Sequence, residues 1–445
     1  MAATRTETLT RADVAWLHAD VPTNHFVIST LAMLDAPPDV ERLKVMLTHR
    51  LPLHPRLRQV VAGGALPLAG ARWVPAAHFD LDAHVHRVAL PAPAGKAELA
   101  RFIGDLTGLP VDLSRPMWHL YAVEGPGSGG ALVGRFHHSL GDGQAMVRML
   151  LTLTDDTPTG WKKPLRPARA RRGARGAPTP GPIARLIGGV PHAPRLARDV
   201  LAGAGTIARL TLMDGDWPTR LRGELGLLKA VAWTEPIPLE DAKRIAGLSG
   251  TTINDVVVSA IAGGLGAYLR AHGHDVAGMR IRAMVPVNLR PAGDTSMTGN
   301  QFSLVFLELP VGIADPWERL MRVKLEMDRI KSSLEPVAGW ILVQGLGFLP
   351  PAFEHAMAAF YADKATVVLT NVIGPKRPLY MAGAPLRQMT FWEPQSGGLG
   401  VGISIYSYAG ELTVGVGSDK NLIAKPEQLT DAVMRAFAEL VRQAR

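Results

Sequence analysis

The chain has 445 residues, 47% hydrophobic and 20% charged, with 48 Lys and Arg against 39 Asp and Glu. This composition excludes a wholly disordered or collagen-like polypeptide and favours two or three domains around a large core. The formal charge of +9 is not spread over the surface, because ten basic residues and one acidic residue fall between Trp161 and Asp199 and the rest of the chain is neutral.

A localised charge of this kind gives no support to nucleic-acid binding. Cysteine is absent, which removes disulfides, thiolate metal sites and a cysteine nucleophile. The opening residues MAATRTETLTRADVAWL carry no charged start followed by an apolar run, so a cytoplasmic protein without a secretory signal is expected.

In chain order, FVISTLAML (26–34) predicts a strand, and VERLKVMLTHRL (40–51) and GKAELARFIGDLTG (95–108) have helical spacing. YAVEG (121–125) and GGALVGRF (129–136) predict strands, and MVRMLLTL (146–153) a helix entered at Asp142-Gly143. The basic segment also holds twelve Pro or Gly between 161 and 199, too many for long regular elements. It is expected to be a linker over 161–205, separating an N-terminal domain (1–160) from a C-terminal one (206–445).

Beyond it, VAWTEPIPL (231–239) leads to a short helix. TTINDVVVSAIAGGLGAYLR then places Ile253, Val256, Val257, Ala260, Ile261, Gly264, Leu265, Tyr268 and Leu269 on one helical stripe. Strands follow near 281–287 and 302–309, then helices across 315–362. The apolar stretch VAGWILVQGLGFLPPAF (337–353) is interrupted by Gln344 and Pro350-Pro351, so a buried core helix is expected rather than a membrane span. Successive strands over 365–418, with a hairpin turning at Ala409-Gly410, precede a last helix at 427–443. The pattern is α/β in both halves, with mixed sheets covered by helices.

The sharpest local feature is RFHHSLGDG (135–143). Adjacent histidines at a strand end point to opposite faces, so only one can face a given cleft. The pair lacks the i,i+4 spacing and third ligand of a zinc site. An imidazole suits general-base chemistry near neutral pH, but an HH pair alone is more often a satisfied core histidine. Asp142 serves equally well as a helix cap. Thr252 and Asp255, three apart at a helix start, form a near capping box that explains Asp255 without catalysis. GGLGVG (397–402) lies between strands with no helix after it, so close packing explains its glycines better than a phosphate loop.

HHSLGDG matches the HHxxxDG signature of the CoA-dependent acyltransferase superfamily, which peptide-synthetase condensation domains share. Other segments discriminate within it: RADVAWLHADVPTNHF, PMW (116–118, where PLW is usual), TTINDVV (251–257), VPVNLR (285–290), GNQFSLVFLELP (299–310) and TNVIGPKRPLYMAGAPL (370–386). Over about residues 8–440 the chain resembles the bacterial wax ester synthase/diacylglycerol acyltransferase family.

That resemblance implies two chloramphenicol-acetyltransferase-like domains with an active-site tunnel at their interface. It implies acyl-CoA as substrate, diacylglycerol or a long-chain fatty alcohol as acceptor, and no cofactor or metal. His138, the second histidine of the motif, is the implied catalytic base, with direct transfer and no acyl-enzyme. His137 and Gly143 are expected to support the loop. Asp142 is expected to hold it through an ion pair, with Arg58 the first candidate partner and Arg290 the second. Asn254 is expected to line the tunnel and help place the developing oxyanion. The basic linker could attract an anionic membrane or lipid droplet. Two alternatives remain: a condensation-type acyltransferase using carrier-bound acyl groups, and a catalytically silent lipid-binding homologue.

Overall fold

The computed structural model describes residues 6–63, 70–125, 129–141, 143–160, 209–288, 302–336, 338–339, 351–395 and 397–445. The basic segment 161–205, Asp142, Arg290 and most of the apolar stretch 337–353 therefore lie outside the described residues.

The N-terminal half supplies β1 (Glu7–Thr8), α1 (Arg11–His18), β2 (Val27–Leu34), α2 (Val40–Arg50), β3 (Gln59–Ala62), β4 (Arg72–Pro75), β5 (Val85–Ala89), α3 (Lys96–Thr107), β6 (Trp118–Glu124), β7 (Gly130–His137) and α4 (Gly143–Thr152). The C-terminal half begins with β8 (Lys229–Trp233), β9 (Ile237–Pro238), α5 (Leu239–Ser249), α6 (Ile253–Ala271), β10 (Ile281–Asn288), β11 (Phe302–Leu309), α7 (Pro316–Ser332) and α8 (Pro351–Ala362). It ends with β12 (Val367–Ile373), β13 (Tyr380–Met381), β14 (Ala384–Trp392), β15 (Val401–Tyr408), β16 (Glu411–Asp419) and α9 (Glu427–Gln443).

Three sheets result. A six-stranded sheet has the order β13-β14-β2-β7-β6-β5, and a seven-stranded sheet the order β11-β10-β12-β15-β16-β8 with β9 beside β16. A small sheet joins β1, β4 and β3. Both large sheets are mixed: β5 runs parallel to β6, and β12 parallel to β10 and β15, while their other pairings are antiparallel. β7 is buried along its whole length, as expected for a central strand covered on both faces.

Two strands depart from the two-halves pattern, because β13, paired with β14, and β14 itself both lie in the N-terminal sheet. β14 belongs to the C-terminal half but pairs antiparallel with β2, from Leu386 opposite Leu34 to Trp392 opposite Ser29. β14 thus extends the N-terminal sheet and brings residues 393–395 and 397–398 to the seam between the two lobes.

Local chemistry explains the best-formed elements. The Thr252 hydroxyl accepts from the Asp255 N–H at 3.2 Å and the Asp255 carboxylate accepts from the Thr252 N–H at 2.8 Å, so the capping box starts α6. α6 packs closely on α9, because a Cβ at Gly264 would stand 2.8 Å from the Val433 nitrogen. Leu429, Val433, Phe437 and Leu440 form the buried stripe of α9. Ala409 and Gly410, at φ 49° and 90°, make the two-residue hairpin turn between β15 and β16. Among the described residues no single helix is long and apolar enough to cross a membrane.

Candidate active site at the lobe interface

The HHSLGDG loop leaves β7 through a short 3-10 turn, His138–Leu140. His137 ends the strand and is fully buried. Its Nδ1 accepts from the Ser139 N–H at 3.2 Å, with the Ser139 hydroxyl 2.8 Å from the same nitrogen. An accepting Nδ1 leaves the ring hydrogen on Nε2, which faces the Asp20 carboxylate at 3.5 Å. Asp20 also pairs with His25 Nδ1 at 2.7 Å. Burial raises the Asp20 pKa, but the hydrogen bonds and charges of His137 and His25 outweigh it and hold it down to about 2. His137 is thereby fixed inside the fold.

His138 turns the other way and is half-buried. Its backbone N–H donates to the Phe26 carbonyl at 2.8 Å, which fixes the loop to the chain entering β2. Its ring lies against Trp16 at 5.2 Å and Phe26 at 6.3 Å between centroids, and those two rings stack at 5.0 Å. Trp16 and Phe26 line an apolar cavity of about 530 Å³, within the range of small-molecule sites. The opposite wall comes from the C-terminal lobe, with Met284 on β10, Leu304 and Phe306 on β11, and Gly397-Gly398. The histidine pair thus divides as period-two geometry requires, with one ring locked inside and one against the aromatic rings that wall the cavity.

Among the described residues, Arg56 reaches this loop. It is buried, donates to the Ser139 carbonyl at 3.4 Å, and lies near Asp13 at 3.4 Å and over the Trp73 ring at 5.1 Å. Arg58 is exposed, with its guanidinium 5.2 Å above the Phe79 ring. Asp142 and Arg290 lie outside the described residues, so neither candidate ion pair is described. Gly143 is the first residue of α4.

Asn254 sits half-buried in the first turn of α6. Its Oδ1 accepts from Asn371 Nδ2 at 2.6 Å, and its Nδ2 lies 3.9 Å from Met327 Sδ. Asn371 lies on β12 next to Thr370, whose hydroxyl donates to the Glu393 carboxylate. Burial pushes Glu393 up to about 7, against the lowering effect of that hydrogen bond. Trp16, Asp20, Arg56, Asn371 and Glu393 were not singled out from the sequence. Three of them fall inside quoted segments or beside the motif blocks, but only the fold says which side chains turn inward. Among the described residues no cluster of three or more His, Asp or Glu could hold a metal ion.

Two mixed-sheet lobes linked by a crossing strand, with an HHxxxDG loop and an apolar cavity at their seam, define a chloramphenicol-acetyltransferase-like acyltransferase. The model for the wax ester synthase/diacylglycerol acyltransferase catalytic domain matches residues 9–257, and that for the WS/DGAT C-terminal domain matches residues 298–441. The chain belongs to the wax ester synthase/diacylglycerol acyltransferase family. A Mycobacterium tuberculosis relative named as a probable diacylglycerol O-acyltransferase, tgs1, is 29% identical over 451 residues, covering 97% of this chain and 95% of that one. Among solved structures, the wax ester synthase/diacylglycerol acyltransferase from Marinobacter aquaeolei VT8 is similar with TM-score 0.72 and 23% identity, covering 98% of this chain and 99% of that chain. The first condensation domain of the calcium-dependent antibiotic synthetase shares the fold with TM-score 0.62 and 18% identity, covering 99% and 96% of the two chains.

Proposed function

We propose that the chain transfers an acyl group from acyl-CoA to a lipophilic alcohol, with His138 as general base. Diacylglycerol as acceptor gives triacylglycerol, and a long-chain fatty alcohol gives a wax ester. The observation that carries this reading is the His138 ring standing against Trp16 and Phe26, which wall the 530 Å³ apolar cavity.

In this mechanism the alcohol hydroxyl gives its proton to His138 as its oxygen attacks the thioester carbonyl. The tetrahedral intermediate collapses, the carbon–sulfur bond breaks, and the CoA thiolate recovers the proton from the imidazolium. Asn254 helps place the developing oxyanion. The Asp20–His137–Ser139 set holds the loop from inside, Gly143 supports it from the start of α4, and Asp142 takes the bracing role that its place in the motif implies. Residues 1–160 and 206–445 act as the two lobes joined by the 161–205 segment, with β14 crossing between them.

Peripheral contact with an anionic membrane or lipid droplet is part of the same reading. Leu212, Phe353 and Phe360 are 81%, 62% and 40% exposed. Phe353 and Phe360 share α8 with the cavity-lining residues Ala358 and Tyr361, so exposed apolar side chains lie on a helix that walls the cavity. Anionic vesicle sedimentation tests this; a protein that stays entirely in the supernatant removes the contact.

The decisive experiment is CoA release measured with a thiol reagent, using palmitoyl-CoA and either dioleoylglycerol or hexadecanol. His138→Ala is expected to reduce turnover by about 10²–10⁴-fold while leaving the melting temperature close to that of the parent. Undiminished turnover refutes the mechanism. Activity with free acyl-CoA separates this reading from a carrier-dependent condensation enzyme, and zero turnover with retained lipid binding would favour a silent binding protein.

A further inference from the structure

Resting on that acyl-transfer reading, we propose that Glu393, held by Thr370, is a partition that sets how long an alkyl chain the site accepts. The partition separates the large cavity from a second one of about 30 Å³, lined by Ile28, Thr30, Met146, Leu150, Val372 and Glu393.

Three segments of the chain run past both cavities and set them end to end. Phe26 lines the large cavity and Ile28, two residues on, lines the small one, a step of about 7 Å along an extended chain. On the facing sheet, Val368 packs with Met284 and Phe306 of the large cavity, whereas Val372 lines the small one. Thr370 lies between them on the same face of β12. On the third side, Glu393 lines the small cavity and Gly397-Gly398 the large one, with the Gln395 carbonyl between them accepting from Asn24 Nδ2.

The Thr370–Glu393 hydrogen bond therefore spans the seam at the step from one cavity to the other. Glu393 is the sole carboxyl in the described lining of the small cavity, whose other side chains are apolar or hydroxylic. A carboxyl that burial keeps neutral up to about pH 7 can stand against hydrocarbon without the cost of a buried charge. The small cavity also receives Met146, Val147 and Leu150 from α4, the helix that begins where the HHSLGDG loop ends. A chain that meets Glu393 stops beside the reactive loop; without Glu393 it continues along α4.

The test uses the full chain with Glu393→Ala and the isosteric Glu393→Gln. Displacement of a fluorescent fatty-acid probe by saturated fatty acids from decanoate to eicosanoate reads cavity length without requiring turnover. Parent affinity is expected to rise by about four-fold for each buried methylene and then level off where the chain meets Glu393. Glu393→Ala is expected to move that plateau at least two carbons longer, and Glu393→Gln to leave it in place. Turnover is then profiled twice, varying the acyl-CoA with hexadecanol fixed and varying the alcohol with palmitoyl-CoA fixed. The arm that shifts identifies which substrate's chain meets the partition. An unchanged plateau in folded Glu393→Ala, or an equal shift in Glu393→Gln, overturns the proposal. Should Glu393→Ala fail to fold, Glu393→Ser opens the same space and is judged by the same plateau. A shifted binding plateau without any turnover supports the partition and counts against acyl transfer alone.

Discussion

Lys229 offers a measurable test of how the lobes hold the cavity wall together. Its Nζ lies 2.6 Å from the Asp419 carboxylate, 2.6 Å from the Thr23 carbonyl and 3.2 Å from the Gly226 carbonyl. The Lys229 and Asp419 side chains are 5% and 0% exposed. Thr23 lines the large cavity, three residues before Phe26. Lys229→Met keeps the bulk of the stem but strands the Asp419 carboxylate, which retains only backbone donors at Gly226 and Asn421. Breaking a buried ion pair from one side costs about 3–5 kcal/mol. Because two donors remain, the lower value of about 3 kcal/mol applies, and the lost bond to Thr23 adds about 1 kcal/mol. With about 2.1 cal/mol/K of unfolding entropy per residue, 445 residues melting as one unit give a drop of about 4 °C. A lobe of half that size melting alone gives about 8 °C. Calorimetry reads the drop directly, and the released Thr23–Phe26 wall should raise KM for the lipid more than it lowers kcat. Lys229→Met/Asp419→Leu, which removes both charges, should recover most of the loss. A melting temperature within 1 °C of the parent, or a double variant no better than the single, refutes the argument.

Three further outcomes follow from the site. Asn371→Ala unties Asn254 but removes an exposed side chain, so kcat should fall about five-fold, the worth of one hydrogen bond, with little change in melting temperature. Burial holds His54 and His119 down to about 4, below the usual value of 6.5, and His84 and His86 are lowered as well. The His54 and His119 rings are neutral in the fold near pH 6.5 and protonate more readily when unfolded. Their stability contribution is complete above pH 6.5 and is lost as pH falls toward 4, so His119→Gln should flatten the melting profile across that window. Glu393 has the opposite sign: raised from 4.5 to about 7, it stabilises fully below pH 4.5 and loses that contribution as pH rises through 7. Glu393→Gln should therefore raise the melting temperature at pH 8 relative to the parent more than at pH 5; equal effects at both would show that the carboxyl is not desolvated.

Elements governed by neighbouring residues were legible. The α6 start needs only Thr252 and Asp255, the hairpin turn only Ala409 and Gly410, and the opposed environments of His137 and His138 follow from strand alternation. Fold class and family were legible too, because HHSLGDG and the later blocks together carry that information. The contacts that shape the cavity were not. Arg56 and Arg58 occupy one short 3-10 turn, Pro55–Arg58, where no regular period marks the inward-facing side chain. The Asn254–Asn371 pair spans 117 positions, and Thr370–Glu393 spans 23. GGLGVG was assigned to close packing, which holds for Gly397, whose Cβ would stand 2.5 Å from the Ala358 carbonyl. The same glycine also walls the large cavity.

The Thr370–Glu393 gap has its physical origin in β14. Its sequence, APLRQMTFW, is a good strand in either sheet, and nothing local chooses between them. Pairing with β2 rather than with a C-terminal strand carries Trp392 onto the Ser29 position. The residue after it, Glu393, then falls at the seam between Thr370 and the β2 wall, and Gln395 falls within reach of Asn24. A register slip by one residue would turn Phe391 and Met389 to the opposite face and pull Glu393 out of line with Thr370. The reach of the cavity is thus set by the register of a single crossing strand.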